Sequence, residues 1–295
     1  MYTQIASNKR RSLLLILGFI VFVGGLDWLF SRLLHQPAAF IPILIVAVIY
    51  AGVSYFFSAQ IALSMSGARE VQKKDAPQLY RLVENLTIAA GLPTPKVYII
   101  EDASPNAFAT GRDPQHAVVA VTTGILERLE KTELEGVLAH ELSHVGNYDI
   151  RFMALVTALV AVVSVISDLL LRLSFWGGGD DDEGGGNNNG LLIILSIVGA
   201  ILAPLVAAVI QFAVSRQREY LADSSGALLT RYPEGLARAL EKISADPQPM
   251  QHANSATAPL YISNPLKGRS LAGLFDTHPP IADRIKRLRE METKQ

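Results

Sequence analysis

The 295-residue chain contains no cysteine, and this absence excludes three kinds of site. Disulfide bonds, iron–sulfur clusters and thiolate-bound zinc all require cysteine sulfur. The net charge is only -1, and the chain has no long basic run, so we do not expect nucleic acid as a partner. Any metal ion must therefore be held by nitrogen and oxygen atoms.

Charged residues make up only 18% of the chain, whereas hydrophobic residues make up 50%. The apolar residues form four blocks, each close to the roughly 20 residues that an α-helix needs to cross a bilayer. We predict four transmembrane helices. For the third, which Asp168 and Arg172 interrupt, a buried core helix is the alternative. The blocks are Leu13–Leu34, Phe40–Leu63, Phe152–Leu173 and Leu191–Val214.

Basic residues indicate how these helices are oriented. Lys9, Arg10 and Arg11 precede the first block and Arg218 follows the fourth, whereas the loop 174–190 is rich in Gly, Asp and Asn and has no basic residue. Short basic segments favour the cytoplasm. We therefore place both termini and both polar regions there, with the loop 174–190 on the outer face.

The predicted domains follow from this topology. They are a transmembrane hairpin (1–63), a first catalytic part (64–151), a second hairpin that includes the outer loop (152–214) and a second catalytic part (215–295).

The first polar region has the patterns of a mixed α+β unit. Asp75–Ala90 has the apolar spacing of an amphipathic helix, and Lys96–Ile100 and Ala117–Thr122 have the composition of β-strands. A capping box at Thr132 predicts the start of a further helix, which ends near Gly146. We expect a mostly α-helical membrane protein with a cytoplasmic, zincin-like α+β domain.

That further helix contains the word His140-Glu141-Leu142-Ser143-His144. Residues four apart lie on the same face of a helix, so the two imidazoles can bind one metal ion. Glu141 lies beside them and can accept a proton from water. The bare pattern occurs by chance in about one chain per hundred, so a helix with two surface histidines is the alternative.

A third ligand is predicted just after the fourth apolar block, at Glu219. Asp223 lies four residues later on the same helix face and can accept the second N–H of a ligand histidine. Taken alone, this pair is more typical of a solvated charge cluster. However, His144 precedes the third block and Glu219 follows the fourth, so adjacent helices would bring both to one membrane face.

These motifs resemble the HtpX group of bacterial membrane zinc metallopeptidases, which are gluzincins related to the CAAX prenyl proteases. The resemblance covers nearly the whole chain. The words that carry it are Asn106–Gly111, His140–His144, Arg218–Asp223 and Thr277–Arg284.

The resemblance implies one zinc ion held by His140, His144 and Glu219, with Glu141 as general base. It further implies that Asn106, Ala107 and Phe108 lie near the substrate backbone. His278 and Arg284 are implied to face the reacting carbonyl. For His278, a helix-entry residue before Pro279 is the alternative.

We therefore expect a zinc endopeptidase of the bacterial cytoplasmic membrane that acts in membrane-protein quality control. Its partners would be polypeptide substrates and the lipid bilayer, and substrate would bind as an added strand beside the Asn106 region. The alternatives are a CAAX-type prenyl-protein protease and a non-enzymatic scaffold or transporter. The proline-containing region 246–275 is either a flap or a loop. Nothing in the sequence indicates the oligomeric state.

Overall fold

The structure is a computed structural model that describes residues 2–34, 40–159, 216–252, 257–266 and 279–292. Several predicted features lie outside these residues: most of the third apolar block, all of the fourth, the loop 174–190 and His278. What the sequence predicts for them stays a prediction.

The N-terminal part is helical: α1 covers Tyr2–Leu34, α2 covers Phe40–Phe56 and α3 covers Ser58–Met65. In the part of the chain that the structure describes, no single helix is both long enough and apolar enough to cross a membrane. Two consecutive helical segments together have the required length and apolar composition, Val48–Phe56 and Ser58–Met65, with a bend of 70° between them. The four predicted spans therefore stay a prediction.

A four-stranded sheet follows, made of β1 Ala68–Glu70, β2 Lys96–Ile100, β3 Ala107–Thr110 and β4 Val118–Thr122. The strands lie in the order β1-β2-β4-β3, so β1 and β3 are at the edges. The central strands β2 and β4 are parallel, and both outer pairs are antiparallel. All five residues of β4 are buried, which agrees with its uninterrupted run of small and branched apolar residues. The two predicted strands are confirmed.

The remaining described residues are mainly helical: the helices are α4 Pro77–Ala90, α5 Thr123–Arg128, α6 Lys131–Gly146, α7 described over 149–159, α8 Arg216–Thr230, α9 Pro233–Ala245 and α10 Ile281–Glu292. Apolar side chains of α4, α6 and α9 pack with the sheet into one core. The predicted helix 75–90 is confirmed, although it begins two residues later, at Pro77, a residue favoured in the first helical turn.

The helix α6 carries the two histidines, and its start was predicted wrongly. The capping box uses Glu130 and Glu133 rather than Thr132. Glu133 Oε2 accepts the Glu130 N–H at 2.8 Å and the ammonium of Lys242 at 2.7 Å. A carboxylate can cap a helix as a hydroxyl does, and the ion pair with α9 favours this earlier start. The predicted end near Gly146 is confirmed.

Two glycines allow helices to approach α6 closely. A Cβ added at Gly226 of α8 would lie 2.9 Å from the backbone nitrogen of His140. A Cβ added at Gly136 of α6 would lie 2.7 Å from the backbone nitrogen of Leu236 of α9. Because Glu219 precedes Gly226 by two helical turns, the contact of α8 with α6 determines the distance of Glu219 from the histidines.

Candidate metal centre

Three side chains from two helices converge at the contact between α6 and α8. His140 Nε2 and His144 Nε2 lie 3.3 Å apart. Glu219 Oε2 lies 3.7 Å from His140 Nε2, and Glu219 Oε1 lies 3.5 Å from His144 Nε2. The structure thus brings the three sequence-predicted ligands together, with one donor atom from each within 4.8 Å of the others.

The donor set fits a zinc ion. Two imidazole nitrogens and one carboxylate oxygen are the protein ligands of many catalytic zinc sites, which leave a fourth position open. Atoms bound at zinc's usual distance and a tetrahedral angle lie about 3.3–3.4 Å apart. The two nitrogens are 3.3 Å apart, which matches this value, and each nitrogen lies 3.5 or 3.7 Å from a different oxygen of Glu219. With one donor atom from each residue, all three lie within 4.8 Å of one another, so they can surround one ion.

The electrostatics of the site also favour a cation. Burial alone would lower the pKa of His144, but the carboxylates of Asp149, Glu219 and Glu141 outweigh burial and raise it to about 9. Negative groups around the imidazoles therefore stabilise positive charge at this position.

His140 is oriented by an entirely buried ion pair. Its Nδ1 lies 3.0 Å from Asp223 Oδ1, in agreement with the predicted position of Asp223. The guanidinium of Arg284 donates to both oxygens of Asp223, at 2.8 and 2.7 Å. Burial would raise the pKa of Asp223, but Arg284 outweighs it and holds this pKa well below the usual range. An ionised Asp223 fixes the tautomer of His140 and directs Nε2 towards the metal position.

Arg284 was implied to face the reacting carbonyl, and the structure places it behind His140. The side chain is 0% exposed, and besides Asp223 it donates to the carbonyl oxygen of Ile262. Its NH1 lies 3.7 Å from Glu219 Oε2. A direct contact with substrate stays a prediction, whereas the contact with Asp223 is observed.

His144 is oriented by Asp149, a residue that the sequence reasoning missed. Asp149 Oδ2 lies 3.0 Å from His144 Nδ1. Its other oxygen, Oδ1, accepts a hydrogen bond from Asn8 Nδ2 at 2.7 Å. The sequence contains a signal for this residue, because the Asp149 carboxylate lies only three residues after the end of α6, the helix that carries His144.

Glu141 lies beside the three ligands and is almost fully buried. Its Oε2 accepts the backbone N–H of Ala109 in β3 at 2.8 Å. Burial, assisted by the carboxylate of Glu219, raises the pKa of Glu141 to about 8. A carboxyl group with this pKa can gain and lose a proton near neutral pH, as a general base must.

Of the predicted substrate-binding residues, Ala107 and Phe108 lie at the start of β3, and Asn106 directly precedes this strand. The Asn106 side chain is 1% exposed and donates to the carbonyl oxygen of Ser263 at 2.9 Å. Phe108 packs edge-to-face against Tyr261, and Ala107 accepts a hydrogen bond from the backbone N–H of Ile262. The chain's own residues 261–263 thus lie beside the edge that we expected to receive substrate.

The region 246–275, predicted as a flap or a loop, has several contacts in its described part. Gln251 N donates to Asp102 Oδ2, and Met250 N donates to the carbonyl oxygen of Pro265. Residues 259–262 line the cavity that also contains His140, Glu141, His144 and Glu219. Access to the metal centre therefore passes along this segment.

Comparison with known proteins places the chain in a family. The profile of peptidase family M48 matches residues 73–292. The Protease HtpX homolog of Tropheryma whipplei (strain Twist) is 49% identical over 291 residues, which are 99% of this chain and 98% of that protein. The Protease HtpX homolog of Listeria monocytogenes serotype 4b (strain CLIP80459) is 46% identical over 308 aligned residues. This alignment covers 99% of this chain and 100% of that protein.

A solved structure shares the fold. The crystal structure of S. mikatae Ste24p superposes with a TM-score of 0.53 at 18% identity, covering 96% of this chain and 67% of that chain. The resemblance to the HtpX group is confirmed by the sequence comparisons. The chain therefore belongs to peptidase family M48 and is a metallopeptidase.

Proposed function

We propose that this metallopeptidase is a zinc-dependent endopeptidase of the bacterial cytoplasmic membrane that cleaves misfolded or damaged membrane proteins. The observation that carries the proposed chemistry is the convergence of His140, His144 and Glu219, with Glu141 beside them. Zinc bound by these three residues supplies the Lewis acid that activates water and polarises the scissile carbonyl.

Glu141 moves the proton in the proposed mechanism. Its Oε2 accepts the Ala109 N–H, so Oε1 takes the proton from the attacking water. The raised pKa allows the carboxyl group to hold this proton and then to donate it to the leaving amine. Asp223 and Asp149 keep the imidazoles oriented during these steps.

The substrate backbone is proposed to lie beside the Ala109 end of β3, because residues 261–263 already contact Asn106, Ala107 and Phe108. The Ala109 N–H links this strand directly to Glu141, and Ala109 lines the cavity together with residues 259–262. A strand edge recognises backbone more than side chains, which supports broad specificity. His278 remains a proposed donor to the reacting carbonyl on the resemblance alone. Arg284 is a weaker candidate, since Asp223 already accepts hydrogen bonds from its Nε and NH2.

Exposed apolar side chains on the N-terminal helices support the membrane location. Leu14, Ile20 and Val21 of α1 and Val46 and Ile49 of α2 are each more than half exposed. Many exposed apolar side chains on neighbouring helices are unfavourable in water and favourable in a bilayer.

Contacts near the start of α1 support an active site on the cytoplasmic side. Asn8 contacts Asp149, and the ammonium of Lys9 lies over the ring of Tyr148. The basic residues that favour the cytoplasm therefore lie beside the metal centre.

Glu141→Gln tests the chemistry. We expect cleavage of an unfolded protein substrate in detergent to fall by roughly 10²- to 10⁴-fold, because the proton acceptor is lost. Zinc content should stay near one ion per chain, whereas His140→Ala should lose the metal as well. Glu135→Gln, on the same helix but away from the ligands, is the matched control. A Glu141→Gln protein that cleaves at the wild-type rate would show that Glu141 is not the base.

The proposed substrates are tested by identifying peptides that the inactive Glu141→Gln protein retains, using mass spectrometry. Peptides from many unfolded membrane proteins are the expected result. Retention of only prenylated C-terminal peptides would favour the CAAX-type alternative and overturn the quality-control role.

A further inference from the structure

Asn8, near the start of α1, lies in a buried position beside the metal centre. The side chain is 3% exposed. Its Nδ2 donates two hydrogen bonds, to the carbonyl oxygen of Asn147 at 2.9 Å and to Asp149 Oδ1 at 2.7 Å. Asp149 uses its other oxygen for His144 Nδ1. A chain of hydrogen bonds therefore runs from α1 through Asp149 to a proposed metal ligand.

The backbone that Asn8 holds is a strained turn between α6 and α7. Tyr148 has a φ of +61°, a left-handed conformation that is unfavourable for a residue with a Cβ. Such a conformation persists only where surrounding contacts enforce it. Asn8 holds the residue before Tyr148 and the residue after it, and Lys9 contacts the Tyr148 ring. These contacts define where Asp149 lies.

Apolar packing keeps α1 in this place. Leu15 and Met153 pack against Phe152 and Val156, which joins α1 to the first turns of α7. Leu15 lies two helical turns after Asn8, so both residues are on the same face of α1, and this face packs against α7. The position of Asn8 is thus part of a larger helix contact.

We infer that Asn8 is a positioning residue for the metal centre. By donating to Oδ1, it stops the Asp149 carboxylate from rotating and keeps Oδ2 on His144 Nδ1. The imidazole then presents Nε2 to the metal. A neutral amide suits this role because it leaves the negative charge of Asp149 available to the imidazole. The N-terminal helix therefore contributes to metal binding as well as to the proposed membrane anchoring.

The inference rests on the proposed role of His144 as a metal ligand, and zinc affinity tests both. Affinity is measured on the full-length protein in detergent by competition with a chromogenic chelator. Loss of a carboxylate behind a ligand histidine typically weakens metal binding by roughly 10- to 100-fold, the range we expect for Asp149→Asn. For Asn8→Leu, which removes the donor at similar size, we expect a loss at the low end, roughly tenfold.

A double variant distinguishes positioning from general damage. If Asn8 acts through Asp149, adding Asn8→Leu to Asp149→Asn should cause little further loss of zinc affinity. Ser12→Ala is the matched control, since Ser12 is also buried, lies one turn further along α1 and has no hydrogen-bond partner for its hydroxyl among the described residues. Its zinc affinity should equal that of the wild type.

Asn8→Asp provides a second variant in case Asn8→Leu does not fold. It keeps the shape but places a carboxylate against Asp149, so we expect a larger loss of zinc affinity than with leucine. Wild-type affinity in Asn8→Asp, or independent losses that multiply in the double variant, would overturn the inference. Wild-type affinity in His140→Ala and Asp149→Asn would instead overturn the proposed metal centre itself.

Discussion

The two histidines of the metal centre are supported by different parts of the molecule. Behind His140, Asp223 of α8 and Arg284 of α10 form a buried, bidentate ion pair. Behind His144, Asp149 is held by one neutral donor from α1, with Arg218 at a longer distance of 3.8 Å. The first support belongs to the compact domain, whereas the second depends on the N-terminal helix.

Because of this difference, we expect substitutions behind His140 to affect mainly the stability of the domain, and substitutions behind His144 to affect mainly metal binding. A buried charge that loses its partner is strongly destabilising, so damage behind His140 should unfold the domain. Loss of the Asn8 hydrogen bond removes only a neutral donor, and the Asp149 carboxylate keeps His144 and Arg218 as its charged or polar neighbours. It should therefore weaken the metal site while the domain stays folded.

Arg284→Met has the largest expected effect on stability, because it leaves the Asp223 carboxylate buried without its cation. We expect the free energy of unfolding to fall by about 3–5 kcal/mol. Denaturant unfolding of the metal-free protein in detergent measures this loss. Arg289→Met is the matched control on the same helix: Arg289 is half-exposed and pairs with Glu234 and Glu241, so a much smaller loss than that of Arg284→Met is expected. Equal losses in the two variants would contradict the special role of the buried pair.

Gly226→Ala should have the next largest effect, because the added methyl group meets the backbone of α6 at His140. Overpacking of this kind costs about 1–3 kcal/mol. Displacement of α8 also moves Glu219 away from the histidines, so zinc affinity should fall together with stability.

Gly136→Ala sharpens this result, since its methyl group meets the backbone of α9 at Leu236. A similar loss of stability is expected, but zinc affinity should remain near that of the wild type. If both alanine variants lost zinc equally, the close contact at Gly226 would not be what sets the position of Glu219.

The metal-binding residues could be predicted because local geometry determines much of their arrangement. Helical spacing alone puts His140 and His144 on one face, and the parity of the predicted spans places Glu219 on the same side. The amphipathic helix α4 and the apolar strands β2 and β4 have strong periodic or compositional signals. These features need little information from distant parts of the chain.

The supporting residues were harder to predict because their partners are distant in sequence. Asn8 and Asp149 are separated by 141 positions, and Arg284 and Asp223 by 61. In the sequence, Asn8 belongs to a short polar stretch before an apolar helix, which gives no indication of a buried partner. The strands β1 and β3 have only three and four residues, too few for a periodic pattern.

Arg218→Met should have the smallest effect, although Arg218 is also a buried arginine near a carboxylate that supports a histidine. Its Nε lies 3.8 Å from Asp149, its guanidinium lies over the Phe152 ring, and its NH1 has no hydrogen-bond partner within the described part of the chain. Burial lowers the pKa of Arg218, which means that the charged form is poorly compensated there.

Arg218→Met therefore tests whether the group that supports His144 depends on an arginine, as the group that supports His140 does. Methionine keeps an apolar contact with Phe152 and removes a poorly compensated charge, so we expect a change in unfolding free energy within about 1 kcal/mol. Zinc affinity should change little, because Asn8 still holds Asp149. Denaturant unfolding and chelator competition, performed beside Arg284→Met, measure both quantities. A loss of stability as large as that of Arg284→Met would show that Asp149 depends on Arg218 as Asp223 depends on Arg284, and that the two histidines are supported alike.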